Sequence, residues 1–240
     1  MRNSTLNSFA YLFLGVFLLS SCGGFDCISG SGNQVTENRE LGTFNQIESR
    51  GSLKIILSQD STSSIRILAD DNIQKEIRTR LSGSTLKIDF EGNFCDPGPV
   101  TLFLSSKDFQ KIESSGSVEI LSEGILSLND LDLNLRGSSK LMLDLNIKSL
   151  FTSTSGSSEI ILKGQAGRHN LEMTGSSSVE ALDFIVGEYR INSTGASKSR
   201  INVLNTLEVN STGASDVEYK GKPSKVQKSE SGSSSVKSIN

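Results

Sequence analysis

The chain has 240 residues, 35% hydrophobic and 21% charged, with 22 Gly against 3 Pro, a composition that suits a folded domain or a repeat array and excludes a disordered tail. Lys and Arg number 24 against 27 Asp and Glu, so the net charge of −3 offers no footprint for a phosphate backbone, and nucleic acid is not expected as a partner. A single His, 3 Cys and no Trp argue against metal centres built from His and Cys clusters and deprive most enzyme chemistries of their usual residues, so no cofactor, metal or catalytic residue is expected.

The first element in chain order is an export leader over residues 1–21. Arg2 supplies the positive start, Phe9 to Leu19 is an uncharged run of 11 residues, and the small Ser20 and Ser21 follow. That run is too short to span a bilayer. Leu19-Ser20-Ser21-Cys22-Gly23 resembles the bacterial lipobox, which implies that Cys22 is acylated, becomes the first mature residue and anchors the protein to a membrane without a transmembrane helix. An ordinary cleaved signal with a free Cys is the plainer alternative. Residues 22–38, rich in Gly and Ser, read as a flexible tether. Cys27 and Cys95 remain as an even pair in a compartment where disulfides persist; two free thiols are the alternative, because sequence alone does not place their Cα atoms.

Residues 39–113 are β-rich but irregular. Strand character appears over residues 43–47, 53–58, 64–69, 85–90 and 100–104, and Asp71-Asn72-Ile73 opens a short helical or turn segment in which Ile73 and Ile77 share a face. Self-similarity then takes over. Corner motifs recur at Gly116, Gly137, Gly156, Gly175, Gly195, Gly213 and Gly232, separated by 21, 19, 19, 20, 18 and 19 residues. A spacing that wavers without drifting predicts an all-β parallel β-helix or solenoid of about 19 residues per turn, preceded by the less regular β-rich half.

Aligned on each Gly, the columns alternate as strands must. Four residues after it stand Ile120, Leu141, Ile160, Val179, Ser199, Val217 and Val236, and four before it Ile112, Leu133, Thr152, Leu171, Ile191, Val209 and Lys228. Six before it, from the second copy on, stand Leu131, Leu150, His169, Tyr189, Leu207 and Val226. These columns are expected inside. Outward columns alternate in charge between neighbouring turns: Lys140 faces Glu159, and Arg200 faces both Glu180 and Glu218. The corner Ser and Thr residues are read as structural.

Phe44-Asn45-Gln46-Ile47 followed by Gly51, Leu53 and Ile55, then Ile65-Arg66-Ile67 leading into Asp70-Asp71-Asn72, Leu86-Lys87-Ile88, and Phe109-Gln110-Lys111-Ile112 running into Ser115-Gly116-Ser117 resemble the auto-transporter adhesin head GIN domain family. That family is common in lipoproteins and envelope proteins of Bacteroidetes-type bacteria. The resemblance covers roughly residues 39–239 and implies a right-handed β-helix, a GIN-like domain over residues 39–240, an outer-membrane lipoprotein whose membrane face is open, and an adhesin-like or binding role toward a glycan or protein. It implies little chemistry.

His169 is expected as a hydrogen-bonded core residue. Asp130, Asp132 and Asn134 line one outer face, where a calcium ion is weighed against a solvated acidic strand, and Asp70-Asp71-Asn72 is read as a helix cap ahead of a cation site. A carbohydrate-active enzyme, as other β-helices are, would need acid and base groups beside stacking aromatics. An envelope scaffold or sensing accessory is the remaining alternative. The charged outer column begins with Leu121, Met142 and Ile161, and Phe151 lies on a nearby outward column. Either the N-terminal half folds over these residues as a second layer, which a chain's tendency to bury its own apolar surface favours, or they form a binding or self-association surface.

Overall fold

The computed structural model describes residues 27–239; the leader and Cys22 lie outside them. Eleven strands and one short helix follow in order: β1 (Ile28–Ser29), β2 (Gln34–Arg39), β3 (Gln46–Gln59), β4 (Ser64–Asp70), α1 (Asp71–Gln74), β5 (Ile77–Ser82), β6 (Thr85–Phe90), β7 (Phe94–Asp96), β8 (Thr101–Ser106), β9 (Lys111–Lys220), β10 (Lys225–Gly232) and β11 (Ser235–Ser238). The described residues are all-β apart from α1. Among the described residues no helix is long and apolar enough to cross a membrane.

The 110 residues of β9 do not run straight. Lys140 and Glu159 would stand ~60 Å apart along an extended strand, yet their charged groups lie 3.1 Å apart. Arg200 likewise meets Glu180 at 3.0 Å and Glu218 at 3.3 Å. Successive stretches of β9 therefore stack in register, and β10 and β11 continue the stack in parallel, Lys225 opposite Thr206 and Ser235 opposite Asp216.

Glycine holds the corners for two reasons. Gly156 has φ +118°, and a Cβ there would run into the carbonyl oxygen of Gly137 beneath it; Gly137, Gly175, Gly195 and Gly213 repeat both features. Only Gly combines that backbone conformation with so close an approach. The inward columns are buried as the alternation predicts from Ile112 and Ile120 to Val209 and Val217, but at the last turn Val226 and Lys228, expected inside, are exposed because no further described turn lies over them. The buried columns form one core with the N-terminal half.

Two features of the N-terminal half differ from the sequence reading. It does not form a second layer. β3 lies parallel to the start of β9 with Gly51 opposite Gly116 and Ile56 opposite Leu121, so it extends the same sheet edge to edge. On its other side β3 pairs in parallel with β6 through Gln46–Ser49 and with β8 through Lys54–Gln59. β4 and then β2 add antiparallel, and β5 pairs antiparallel with β6. Backbone hydrogen bonding between β3 and β9 joins the halves, and one apolar core runs through both.

The stretch expected as a tether is tied down where it is described. Cys27 and Cys95 form a disulfide with Cα atoms 5.4 Å apart, β1 pairs with β7, and β2 pairs with β4 along its six residues. Side chains complete the strap: Gly32 N–H donates to Asp70 at 2.8 Å, Ser31 Oγ to Asp71 at 2.6 Å and Asn33 Nδ2 to Asp71 at 3.0 Å. Ser31 and Asn33 hold the Asp71 carboxyl below its usual pKa. Asp70, expected as a capping side chain, makes no cap hydrogen bond to α1; Gly32 captures it instead.

Candidate functional site

A concavity of about 910 Å³ follows the Gly corners across successive turns. Its position follows from local sequence. The residue after each corner Gly is small, as in Ser117, Ser138, Ser157 and Ser176, so the corners leave a trough rather than a ridge. Three residues after the Gly stands a charged rail, in which Lys54 meets Glu119 at 3.3 Å and Lys140 meets Glu159 at 3.1 Å. Gly98 to Thr101, arriving from the N-terminal half, walls one end.

The groove mixes exposed hydroxyls with apolar lining, and its charged residues are three Lys, Lys54, Lys140 and Lys198, against Glu119 and Glu159. Its exposed hydroxyls sit in rows about 4.8 Å apart, the spacing of neighbouring strands, and can donate to or accept from an extended polar molecule. Paired Lys and Glu side chains neutralise one another and give neither a polyanion nor a polycation a continuous field. Ser139 and Ser158 also line the trough, but they share the inward face with Leu141 and Ile160 and are themselves buried. Their Oγ atoms have no hydrogen-bond partner.

No serine in the groove has a His beside it. His169 is buried in the core, with Nδ1 2.7 Å from the Tyr189 hydroxyl and Nε2 3.1 Å from Thr152 Oγ1. Burial lowers its pKa to about 3 and pushes the Tyr189 phenol up, so the imidazole stays neutral and serves the core. Among the described residues no group of three His, Cys, Asp or Glu side chains is arranged to hold a metal ion. In the outer trio Asn134 Nδ2 donates to Asp132 at 2.7 Å, which ties the pair together.

Leu121, Met142 and Ile161 come together on the outer face, each half-buried, around a groove of about 230 Å³. The N-terminal half prolongs this stripe: Ile56 lies opposite Leu121, Phe103 opposite Ile56, and the Arg66 guanidinium sits 3.7 Å over the Phe103 ring. Phe151 is half-buried and is not part of that groove lining. The hydroxyl trough at the corners was not singled out from sequence. The run of small residues after each Gly was its visible signal, but depth depends on how corners stack.

Comparison with known proteins adds a family. A model described as "Putative auto-transporter adhesin, head GIN domain" matches residues 43–223. Among curated proteins none matches the chain. Solved structures share the fold: a "putative adhesin" from Bacteroides fragilis superposes with TM-score 0.77 at 18% identity, covering 88% of this chain and 100% of its own. A "putative adhesin" from Parabacteroides merdae gives 0.69 at 21% identity, covering 90% and 100%. A "Putative lipid binding protein" from Parabacteroides distasonis gives 0.68 at 20% identity, covering 89% and 99%.

Proposed function

Because the chain belongs to the auto-transporter adhesin head GIN domain family, we propose that it is a lipid-anchored, non-enzymatic binding module of the cell envelope, in the outer membrane. The single observation that carries the binding reading is the 910 Å³ trough of stacked hydroxyls and paired Lys and Glu side chains, which offers hydrogen bonds along an extended path and sets no His beside a serine. Its occupant is an extended polar polymer, a surface glycan ahead of a protein segment. The name of the Parabacteroides distasonis protein makes a lipid the second ligand class to test, at the apolar stripe of Leu121, Met142 and Ile161. That stripe is also the surface for self-association.

The stacked turns are read as a right-handed parallel β-helix of about 19 residues per turn, a reading supported by the 19-residue offsets of β10 and β11 from β9. Anchoring rests on Leu19-Ser20-Ser21-Cys22: residues 1–21 would be removed and Cys22 acylated. Mass spectrometry of the mature N-terminus tests this directly. An unmodified terminus, or membrane retention of Cys22→Ala, overturns the anchor.

For binding, Ser138→Trp and Ser157→Trp fill the trough from exposed positions. Loss of retention on immobilised envelope polysaccharide, with the melting temperature kept, is the expected result. Unchanged retention by both variants removes the trough from the account.

A further inference from the structure

The charged rail of the trough alternates from turn to turn and then breaks. Three residues after each corner Gly it reads Lys54, Glu119, Lys140, Glu159, Ser178, Lys198 and Asp216. The first four form two pairs, at 3.3 Å and 3.1 Å. Continued alternation would set a cation at position 178; the chain sets the small Ser178 there, and Lys198 follows. Lys198 is exposed and lines the trough. Among the described residues its ammonium makes no ion pair, the neighbouring pairs joining Arg200 to Glu180 and Glu218. Asp216, the carboxylate next to it in the rail, accepts the Ser235 hydroxyl from the turn on its other side.

The surroundings of that lysine are hydroxylic on one side. Ser176 and Ser178 stand exposed on the preceding turn, one strand spacing away. Farther along the trough lie Ser139 and Ser158, only 6% and 5% exposed, whose Oγ atoms have no partner. A hydroxyl buried without a partner is costly, and a hydroxylated ligand supplies one. The trough thus offers a single unpaired cation beside hydroxyls and, beyond it, a stretch whose charges are already matched.

We propose that the occupant of the trough is a sparsely acidic glycan, one acid group of which is held by Lys198 beside the Ser176 and Ser178 hydroxyls; this rests on the reading of the trough as a polymer site. An anionic oxygen, whether of a carboxylate, a sulfate or a phosphate ester, takes a charge-assisted hydrogen bond from the ammonium that a neutral hydroxyl does not match. Glu159 stands two strand spacings from Lys198, about 10 Å. A second acid group over that stretch would meet a carboxylate that Lys140 already satisfies, and would lose water without gaining a partner. Uncharged sugars there hydrogen-bond to the corner serines instead. A cationic polymer meets the opposite problem at Lys198.

Affinity of the full chain, in a non-ionic detergent, for the acidic fraction of envelope polysaccharide tests it. Each sample is compared with the same fraction after carboxyl reduction, desulfation or dephosphorylation, and the treatment that weakens binding names the acid group. The parent is expected to hold the untreated fraction about fivefold more tightly than the neutralised one, the weight of one exposed charge-assisted contact. Lys198→Gln should lose that preference and still bind the neutralised fraction as the parent does. Lys222→Gln, the same charge change outside the trough lining, should keep it. Polygalacturonate, with a carboxylate on every sugar, should bind no better than the acidic fraction; tighter binding would mean that charge density decides, and overturns the proposal. So does a preference that survives all three treatments or Lys198→Gln, or that falls equally in Lys222→Gln. Equal binding of untreated and neutralised fractions by the parent overturns the acid subsite and leaves the trough standing as a polymer site. Binding of neither fraction removes the trough reading and the proposal with it.

Discussion

Residues 27–110 and residues 111–239 belong to one core and hold together by different means. The C-terminal part repeats one solution: a Gly corner, inward aliphatic columns and outward charges that pair one turn away, as Lys140 does with Glu159. The N-terminal part uses a different device at nearly every step: a disulfide, antiparallel additions, a one-turn helix, and a strap of Ser31, Gly32 and Asn33 on Asp70 and Asp71. Repetition spreads stability over many equivalent contacts, as in other stacked architectures. An irregular end concentrates it in a few pairs, and it also supplies what a repeat lacks, here the wall of Gly98 to Thr101 that closes one end of the trough.

The strongest way to break the repetitive half is to charge its core. Ile160→Asp places a carboxylate among fully buried aliphatic side chains without a partner, a penalty of several kcal/mol. Thermal denaturation should show loss of cooperative folding, and hydrogen exchange should show the deprotection spreading through residues 111–239. A melt within a few degrees of the parent would mean that the inward and outward columns are exchanged.

The irregular half should break more locally. Replacing Cys27 and Cys95 by Ser removes a cross-link over a separation of 68 residues, worth about 2–4 kcal/mol. Exchange should rise in β1, β2 and β7 while amides of β9 keep their protection. Uniform deprotection along the chain would show that the two halves unfold as one unit.

A pH titration sharpens the comparison from inside the repeat. His169 has its pKa lowered from 6.5 to about 3 by burial, so its neutral form is the one the folded state accepts. Above pH ~6.5 its contribution is fully present. As pH falls from there toward 3 the unfolded chain takes up a proton that the folded chain refuses, and stability drops by up to about 1.4 kcal/mol per pH unit. Urea denaturation between pH 7 and pH 4.5 should show this slope in the parent and lose it in His169→Leu, a variant that also leaves Tyr189 and Thr152 without their shared partner. An unchanged slope would place the sensitivity elsewhere.

The smallest effect belongs to the outward rails. Glu159→Lys removes one exposed ion pair and sets like charges one above the other, a cost below about 1 kcal/mol. The melting temperature should fall by a few degrees at most, and added salt should erase the difference.

The sequence by itself determined the repeating half. Period-two alternation and a near-constant Gly spacing are properties of neighbouring residues, and they identified the buried columns and the Arg200 pairs with Glu180 and Glu218 before any contact was known. Tertiary structure alone decided the rest, because the partners there lie far apart in the chain. Gly51 sits on the same corner as Gly116, but β4 to β8 intervene and hide it from any fixed spacing. The Gly- and Ser-rich stretch after Cys27 has the composition of a tether and is nonetheless pinned by Asp70 and Asp71, since composition records what a segment can do alone and not what waits for it across the fold. The apolar stripe stayed uncovered for the same reason. Whether the N-terminal half would lie over Leu121 or beside it depended on which strand edge was free, and β3 paired with β9 edge to edge.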